Sequence, residues 1–253
     1  MAKKYYAVKK YYDEDTKSYK HNVLLQGVEL EKIEMLNRQS SNIFKGFNNK
    51  EKAIEYLSKP NVYESEEDIP VYKYVAYVDG SYNNVNNIGS SGSIVLKDNI
   101  VCNIECRRVD SSYISNRNLS GELLSVLDTF KYCRRNNIKE ITIFFDCLGI
   151  VTNLLNPENK KDSALIKYYK RMCRRYLKYI KVDFIHVKSH KDNPYNILID
   201  FTTKSITLAK KSDRDRAKLK DIVITVEDNT VVDTLKEYLQ EDYDLIKTRI
   251  EKK

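Results

Sequence analysis

The pattern of hydrophobic and polar residues separates a short N-terminal part of the chain from a longer remainder. KYYAVKK alternates as a strand does, VELEKIEMLNRQ has apolar residues at helical spacing, NIFKGF is a short strand, and NKEKAIEYL is a helix with Asn49 as its N-cap. The following SKPNVYESEEDIP combines two prolines with an acidic run, which is typical of a linker. We therefore predict a small α/β domain at residues 1–58 and a linker at residues 59–71.

The longer part begins with three strand patterns joined by polar turns, in KYVAYVDGSY, SSGSIVLKDN and IVCNIECRRVD. LSGELLSVLDTFKYCRRNN then has helical spacing, and the continuous apolar run EITIFFD is typical of a strand in the centre of a sheet. A helix near residues 163–177, the strand IKVDFIHVKSH and a helix near residues 196–209 complete the series. This order predicts an α/β domain with a mixed sheet at residues 72–211. Residues 212–253, with one strand (DIVITVE) and one amphipathic helix, form a C-terminal extension of unknown role.

The composition narrows the class of protein. The formal net charge of +8 favours an anionic partner, since basic side chains that neutralise phosphates release counterions. No apolar run approaches the ~20 residues that cross a bilayer, and MAKKYYAVKK lacks the apolar centre of a secretory signal. We therefore expect a cytoplasmic protein that is not inserted in a membrane. The five cysteines contain no C-x-x-C pair, so we expect reduced structural thiols rather than a zinc site.

Four acidic residues need an explanation. Asp79 follows the first strand of the longer part, Glu122 lies in the first turn of its first helix, and Asp146 ends EITIFFD. Asp200 lies in the helix that ends this part. If the two strand ends are neighbours in one sheet, the four carboxylates converge, and such like charges require neutralisation. Divalent cations supply it through oxygen ligands, and a pair of cations supports phosphoryl transfer.

Each acid also has an ordinary structural interpretation. Asp79 suits a turn, Glu122 suits the helix dipole, Asp146 suits a helix cap, and Asp200 suits a solvated position. The basic segment KYYKRMCRRYLKYIK, at residues 167–181, is likewise either a solvated helix face or a phosphate-binding surface. Periodicity and spacing do not choose between these interpretations.

Four segments resemble, in the right order, the signature segments of the cellular (type 1) ribonuclease H family. They are YVDGSYN, RNLSGELLSVL, IFFDCLGI and VKSHKDNPYNILID. KYYAVKK followed by FKGF resembles the small hybrid-binding, or viroplasmin-like, domain that precedes the catalytic domain in many members. The resemblance covers about residues 4–209 and implies a mixed five-stranded sheet flanked by helices, preceded by a small α/β domain.

The resemblance implies metal-dependent endonucleolytic hydrolysis of the RNA strand of RNA/DNA hybrids, giving 5′-phosphate and 3′-hydroxyl ends. The partner is then an RNA/DNA hybrid, recognised through its 2′-hydroxyl groups. The implied cofactors are two Mg²⁺ ions, with Mn²⁺ as a substitute and no small-molecule cofactor. The implied metal ligands are Asp79, Glu122, Asp146 and Asp200, and His190 is a further catalytic residue that assists proton transfer or product release.

The resemblance also implies contacts to nucleic acid. In the catalytic domain these are Gly80, Ser81, Asn83 and Asn118, with Gly80 and Ser81 in a tight turn that the RNA backbone approaches. In the small domain they are Tyr5, Tyr6, Lys9, Lys10 and Lys45. The chain contains no Trp, whereas the small domain of the family usually presents one for stacking. This departure leaves a second hypothesis open, a non-catalytic protein that retains the fold and binds RNA/DNA hybrid or double-stranded RNA.

Overall fold

A computed structural model of the chain describes residues 3–13, 16–27, 43–63, 71–187, 193–220 and 222–251. The chain forms two compact units, Met1–Asn61 and Val62–Lys253. The helix predicted at residues 28–39 and most of the predicted linker lie outside the described residues. Among the helices that are described, none combines the length and the apolar character needed to cross a bilayer.

The first unit contains a three-stranded antiparallel sheet and one helix in its described part. The strands are β1 (Tyr5–Asp13), β2 (Ser18–Gln26) and β3 (Ile43–Phe47), in the order β2-β1-β3. Helix α1 (Lys50–Ser58) begins after Asn49, whose side chain accepts a hydrogen bond from a backbone amide of the first turn, as predicted. The sequence pattern does not predict β2, because adjacent leucines interrupt the alternation in SYKHNVLLQ.

The second unit is an α/β structure with a mixed eight-stranded sheet flanked by helices. The strands lie in the order β11-β10-β7-β6-β5-β8-β9-β4. Their bounds are β4 (Asn61–Tyr63), β5 (Tyr74–Asn83), β6 (Ile88–Lys97), β7 (Ile100–Arg108), β8 (Glu140–Phe145), β9 (Lys181–His186), β10 (Val223–Val226) and β11 (Lys247–Ile250). β5, β6 and β7 form the predicted antiparallel meander, and β8 and β9 run parallel to β5. β10 is parallel to both β7 and β11.

Helices cover both faces of this sheet. Their bounds are α2 (Asn118–Arg135), α3 (Gly149–Leu155), α4 (Ala164–Tyr176), α5 (Pro194–Ile206), α6 (Asp213–Leu219) and α7 (Asn229–Leu239). α2, α3 and α4 share one buried core with the sheet, which includes Leu127, Phe130, Phe145 and Tyr169. α5 and α7 pack against each other, and they cover the face of the sheet opposite to α2, α3 and α4. Short 3₁₀ helices lie at Ser111–Asn116 and Gln240–Leu245.

The sheet has eight strands rather than the five expected. β5 to β9 account for the expected strands, and β10 is the strand predicted in DIVITVE. β4 has three residues, too few to show a period, and β11 is a largely exposed KTRI segment without apolar alternation. Residues 222–251 therefore extend the same sheet through β7 instead of standing apart from it.

Candidate metal centre

Asp79 lies within β5, beyond the point where the neighbouring strand β8 stops pairing with it. β5 pairs with β6 along its whole length, but with β8 only at residues 75–77. Because pairing with β6 keeps the backbone extended, Gly80 and Ser81 continue the strand and do not form the expected turn. The turn follows at residues 84–87. The carboxylate therefore projects from an open stretch of β5, not from the end of the strand.

The parallel register of β5 and β8 brings a second acid to the same level. Tyr77 pairs with Phe144, and the same offset sets Asp79 level with Asp146, the residue that directly follows β8. His186, at the end of β9, donates from Nε2 to the backbone oxygen of Asp146 at 3.1 Å. Three adjacent strands thus determine where the Asp146 backbone lies.

Two glycines, one in β5 and one in α2, allow the backbone of helix α2 to pack closely against the sheet. A Cβ atom on Gly80 would lie 2.2 Å from the backbone nitrogen of Glu122, and one on Gly121 would lie 2.0 Å from the carbonyl oxygen of Ser90. Backbone atoms cannot move aside as a side chain can, so only glycine permits this approach. The close contact brings Glu122, which lies in the second turn of α2 rather than the predicted first, to the strand that carries Asp79.

Asp79, Glu122 and Asp146 form a compact group of carboxylates. Each offers one oxygen, and these three oxygens all lie within 4.8 Å of one another. Asp79 is 9% exposed and Glu122 4%, whereas Asp146 is half-buried. We call these three residues the carboxylate triad.

Burial and nearby negative charges raise the pKa values of two members of the triad, Asp79 and Glu122. Burial raises the pKa of Asp79 to about 7, with further contributions from the charges of Asp200 and Asp146, while a hydrogen bond from Thr203 offsets part of the rise. Burial also raises the pKa of Glu122 well above its usual range, and the charges of Asp79 and Asp146 add to this. In the absence of a cation, Asp79 and Glu122 therefore bind protons more tightly than solvated carboxyl groups do.

The oxygen donors of the triad fit a hard divalent cation. Glu122 Oε2 is buried and has no hydrogen-bond partner among the described residues. The ion pairs within the described ranges include neither Asp79 nor Glu122. A buried carboxylate oxygen without a partner is costly, and a cation that takes oxygen ligands removes that cost. Asp79, Glu122 and Asp146 are thus the residues that would hold Mg²⁺ or Mn²⁺.

Asp200 lies beside the triad without being part of it. Its charge raises the pKa of Asp79, but its Oδ2 accepts a hydrogen bond from Lys204 Nζ at 2.8 Å. Lys204 Nζ also lies 3.4 Å from Asp215 of α6, so the C-terminal segment reaches this carboxylate. The Thr203 hydroxyl donates to Asp79 Oδ2 at 2.5 Å. Helix α5 therefore supplies both the fourth acid and a hydrogen bond that orients the first.

The nucleic-acid contacts predicted in the second unit differ in exposure. Asn118 is exposed at the first residue of α2, and Ser81 is half-buried. Gly80 is buried beneath α2, so helix packing is what requires a glycine there. Asn83 donates from Nδ2 to a carbonyl oxygen at the end of α5, at 3.1 Å. His190 lies outside the described residues.

The contacts predicted in the first unit are partly internal. Lys9 is buried, and its Nζ donates to two carbonyl oxygens that follow α1, at 2.8 and 2.7 Å. The structure therefore engages this ammonium group within the first unit, whereas the resemblance implies a contact to nucleic acid. Tyr6 is buried in the core of the unit, Tyr5 is half-buried and Lys45 is exposed. The side chain of Lys10 lies outside the described part of the chain.

Four residues around the triad were not predicted from the sequence, namely Gly121, His186, Thr203 and Lys204. Thr203 and Lys204 follow Asp200 by three and four residues, and this spacing places side chains on a shared helix face. That signal was present in the sequence. Gly121 and His186 carried no such signal, because each acts on a backbone atom that belongs to a distant segment.

No protein-family model matches the chain, and neither does any curated protein. The fold and the geometry define the class: an α/β protein with a mixed eight-stranded sheet and a largely buried carboxylate triad suited to a divalent cation.

Proposed function

We propose that the chain is a ribonuclease H, a metal-dependent endonuclease that hydrolyses the RNA strand of RNA/DNA hybrids. The observation that carries this proposal is the meeting of Asp79, Glu122 and Asp146, from three separate segments, with oxygens within 4.8 Å of one another. A carboxylate oxygen buried without a partner, Glu122 Oε2, supports a cation at this position. Such a group of acids would be a liability in a protein that used the fold only as a scaffold.

The arrangement of the central strands supports the same proposal. An antiparallel meander (β5 to β7) is followed by α2 and then by the parallel strands β8 and β9. In this proposal, these five strands correspond to the mixed five-stranded sheet that the resemblance to ribonuclease H implies, and the first unit corresponds to the hybrid-binding domain. In this proposal, β4, β10 and β11 are additions at the two edges of the sheet.

The proposed reaction adds water across one phosphodiester bond of the RNA strand. A bond forms between the water oxygen and phosphorus, and the bond from phosphorus to the 3′ oxygen breaks. The 3′ oxygen takes a proton, so the products are a 3′-hydroxyl and a 5′-phosphate. Two bound divalent cations supply Lewis-acid stabilisation of the charge that develops on the phosphate.

The side chains of this chain hold and orient the reacting groups. The triad and Asp200 would bind the cations, and the Thr203 hydroxyl fixes the direction of the Asp79 carboxylate. Asn118 precedes Glu122 by four residues and is exposed on the same face of α2. In this proposal, its amide contacts a 2′-hydroxyl of the RNA strand. The net charge of +8 agrees with an anionic substrate.

The decisive experiment compares hydrolysis by the native protein and by Asp146→Asn. Each protein is incubated with an end-labelled RNA/DNA hybrid and Mg²⁺ or Mn²⁺, and the products are resolved by gel electrophoresis. We expect the native protein to cut the RNA strand and Asp146→Asn to lose at least ~100-fold in rate, because the variant lacks one oxygen ligand of the cation site. Asp244→Asn removes a carboxylate that is exposed on a 3₁₀ helix and serves as the matched control.

Two outcomes would contradict the proposal. Equal cleavage by the native protein and by Asp146→Asn would show that the triad is not the active site. Binding of the hybrid by the native protein, without cleavage under either metal ion, would support the non-catalytic hybrid-binding protein instead. Double-stranded DNA and single-stranded RNA in parallel reactions test whether the hybrid is the preferred substrate.

A further inference from the structure

Two connections of the second unit meet at the end of the sheet opposite the carboxylate triad. The α2–β8 and α4–β9 connections enter parallel strands from the same end, and the Lys181 amide donates to the Lys139 carbonyl oxygen at 2.7 Å. Asp146 and His186 lie at the other ends of these two strands. β8 has six residues, so the two ends are separated by about 20 Å.

Basic side chains are concentrated at this far end. The last turns of α2 and α4 both carry arginine pairs, and the connections that follow add lysines. The helices contact each other, and the Arg134 guanidinium lies over the Tyr179 ring at 4.4 Å from its centroid. All of the following residues are exposed, and we call them the distal basic surface: Arg134, Arg135, Lys139, Arg175, Lys178 and Lys181.

Few acids neutralise this surface. Glu140 lies 3.6 Å from Lys181, and Glu158 pairs with Arg174 of the neighbouring turn at 3.0 Å. Within the described ranges, Arg135, Arg175 and Lys178 take part in no ion pair. Several positive charges held together without counter-charges repel one another, and this repulsion is relieved when a polyanion binds.

The chemistry of the distal basic surface favours nucleic acid over a lipid surface. Membrane-bound basic surfaces insert apolar side chains among the acyl chains. Here the one large apolar side chain that is exposed among the described residues of the two connections is Tyr179, 57% exposed, and Arg134 covers its ring. Arginine side chains bind phosphate oxygens through two parallel hydrogen bonds, which suits a repeating phosphate backbone.

We propose that the distal basic surface binds the phosphate backbone of duplex nucleic acid, at a site separate from the carboxylate triad. A phosphate held there lies about 20 Å from the triad, so it is not the phosphodiester being hydrolysed at that moment. The surface retains the protein on a long duplex, or on a second segment of it. This inference goes beyond the proposed hydrolysis and does not depend on it.

The test measures binding without hydrolysis. A fluorescently labelled DNA duplex is titrated with protein in EDTA at several NaCl concentrations, and the slope of log K against log salt is determined. The variant Arg135→Gln/Arg175→Gln/Lys178→Gln is expected to bind about tenfold more weakly at low salt, with a slope smaller in magnitude by about 3, because three phosphate contacts are lost. The control Lys220→Gln/Lys236→Gln/Arg249→Gln removes the same charge from exposed positions of the C-terminal segment and should keep the native slope.

Three results would overturn the inference. In the first, the native protein fails to bind the duplex. In the second, the two triple variants have the same salt slope. In the third, a parallel titration with phosphatidylserine vesicles shows that the first variant changes vesicle binding only. Because EDTA removes divalent cations, the salt slope is independent of any nuclease activity. If the native protein does not hydrolyse the hybrid but the three proteins show the expected salt slopes, the result contradicts the proposed function and not this inference. Circular dichroism of both variants confirms that they are folded.

Discussion

The two buried carboxyl groups of the triad differ from most acids of the chain because their surroundings disfavour charge. Asp79 and Glu122 are buried close to each other, and none of the described basic side chains forms an ion pair with either. The hydrogen bond from Thr203 compensates only part of the cost at Asp79. At the scale of single residues, the site is therefore prepared to exchange protons for a metal ion.

The raised pKa values predict how stability depends on pH. Asp79 has a pKa of about 7 in the folded protein, against 3.8 ordinarily, so its proton is bound more tightly when the chain is folded. The stability that this provides is complete below about pH 4 and is lost as the pH rises through about 7. Metal-free protein should thus be less stable at about pH 8 than at about pH 5, and Asp79→Asn should reduce the difference, as measured by thermal unfolding in EDTA.

Mg²⁺ should reverse this loss. The ionised carboxylates at about pH 8 bind the cation, whereas protonated ones at about pH 5 do not, so the rise in melting temperature on adding Mg²⁺ should be larger at the higher pH. Asp244→Asn, with its exposed position, should behave as the native protein does. An Asp79→Asn variant with the native pH dependence and the native response to Mg²⁺ would show that the triad does not bind the metal.

At the scale of elements, the approach of α2 to the meander is the contact that creates the site. Gly80 of β5 lies directly under the backbone of Gly121 and Glu122. The same helix buries Leu123, Leu127 and Phe130 in the core of that face. Packing of apolar side chains therefore holds the helix close enough to bring its carboxylate to the strand.

Gly80→Ala should separate these two elements. The added Cβ would meet backbone atoms at 2.2 and 2.6 Å, and overpacking against backbone costs about 3 kcal/mol. We expect a free energy of unfolding lower by about that amount in urea titrations, and a loss of hybrid cleavage with it. Gly149→Ala is the control, because its Cβ meets side-chain atoms only, the flexible end of Leu119 at 2.5 Å and Cys147 Sγ at 3.3 Å, and the residue begins a helix. An equal, small effect of both substitutions would show that α2 can shift without cost.

At the scale of the whole molecule, every residue proposed to bind metal belongs to the second unit. Asp79, Glu122, Asp146 and Asp200 all fall within Val62–Lys253, which has its own sheet and core. The first unit has a separate sheet. Metal binding and hydrolysis should therefore not require the first unit.

A chain that begins at Asn61, and so keeps β4, tests this division. We expect it to retain the stabilisation by Mg²⁺ and the rate of RNA cleavage at saturating hybrid, with any loss confined to the affinity for hybrid. Thermal unfolding and steady-state kinetics measure the two effects. The same shortened chain with Asp146→Asn provides the inactive reference. Loss of Mg²⁺ stabilisation in the shortened chain, while circular dichroism shows it folded, would contradict the division.

Apolar spacing and residue type along the chain are enough to locate the elements with a strong period and to name the candidates for the site. The meander, EITIFFD and the helices around residues 118–135 and 164–176 could be read from apolar spacing, because burial of one face selects that spacing directly. The four acids could be named from their positions relative to the predicted elements and from the residues that surround each of them. Asp79 was expected to end its strand, since a DG pair suits a turn, and only pairing with β6 shows that the strand continues.

Which groups meet depends on how the elements pack in three dimensions. The register of β5 against β8 sets Asp79 level with Asp146. Gly80 and Gly121 allow the backbone at Glu122 to approach β5 closely. The Lys204 ammonium group donates a hydrogen bond to Asp200. The first two of these depend on contacts between residues far apart in the chain, and local spacing carries no information about such contacts. The same reason explains why the basic residues that follow α2 and α4 form one surface, about 20 Å from the triad: parallel strands bring the two connections to the same end of the sheet.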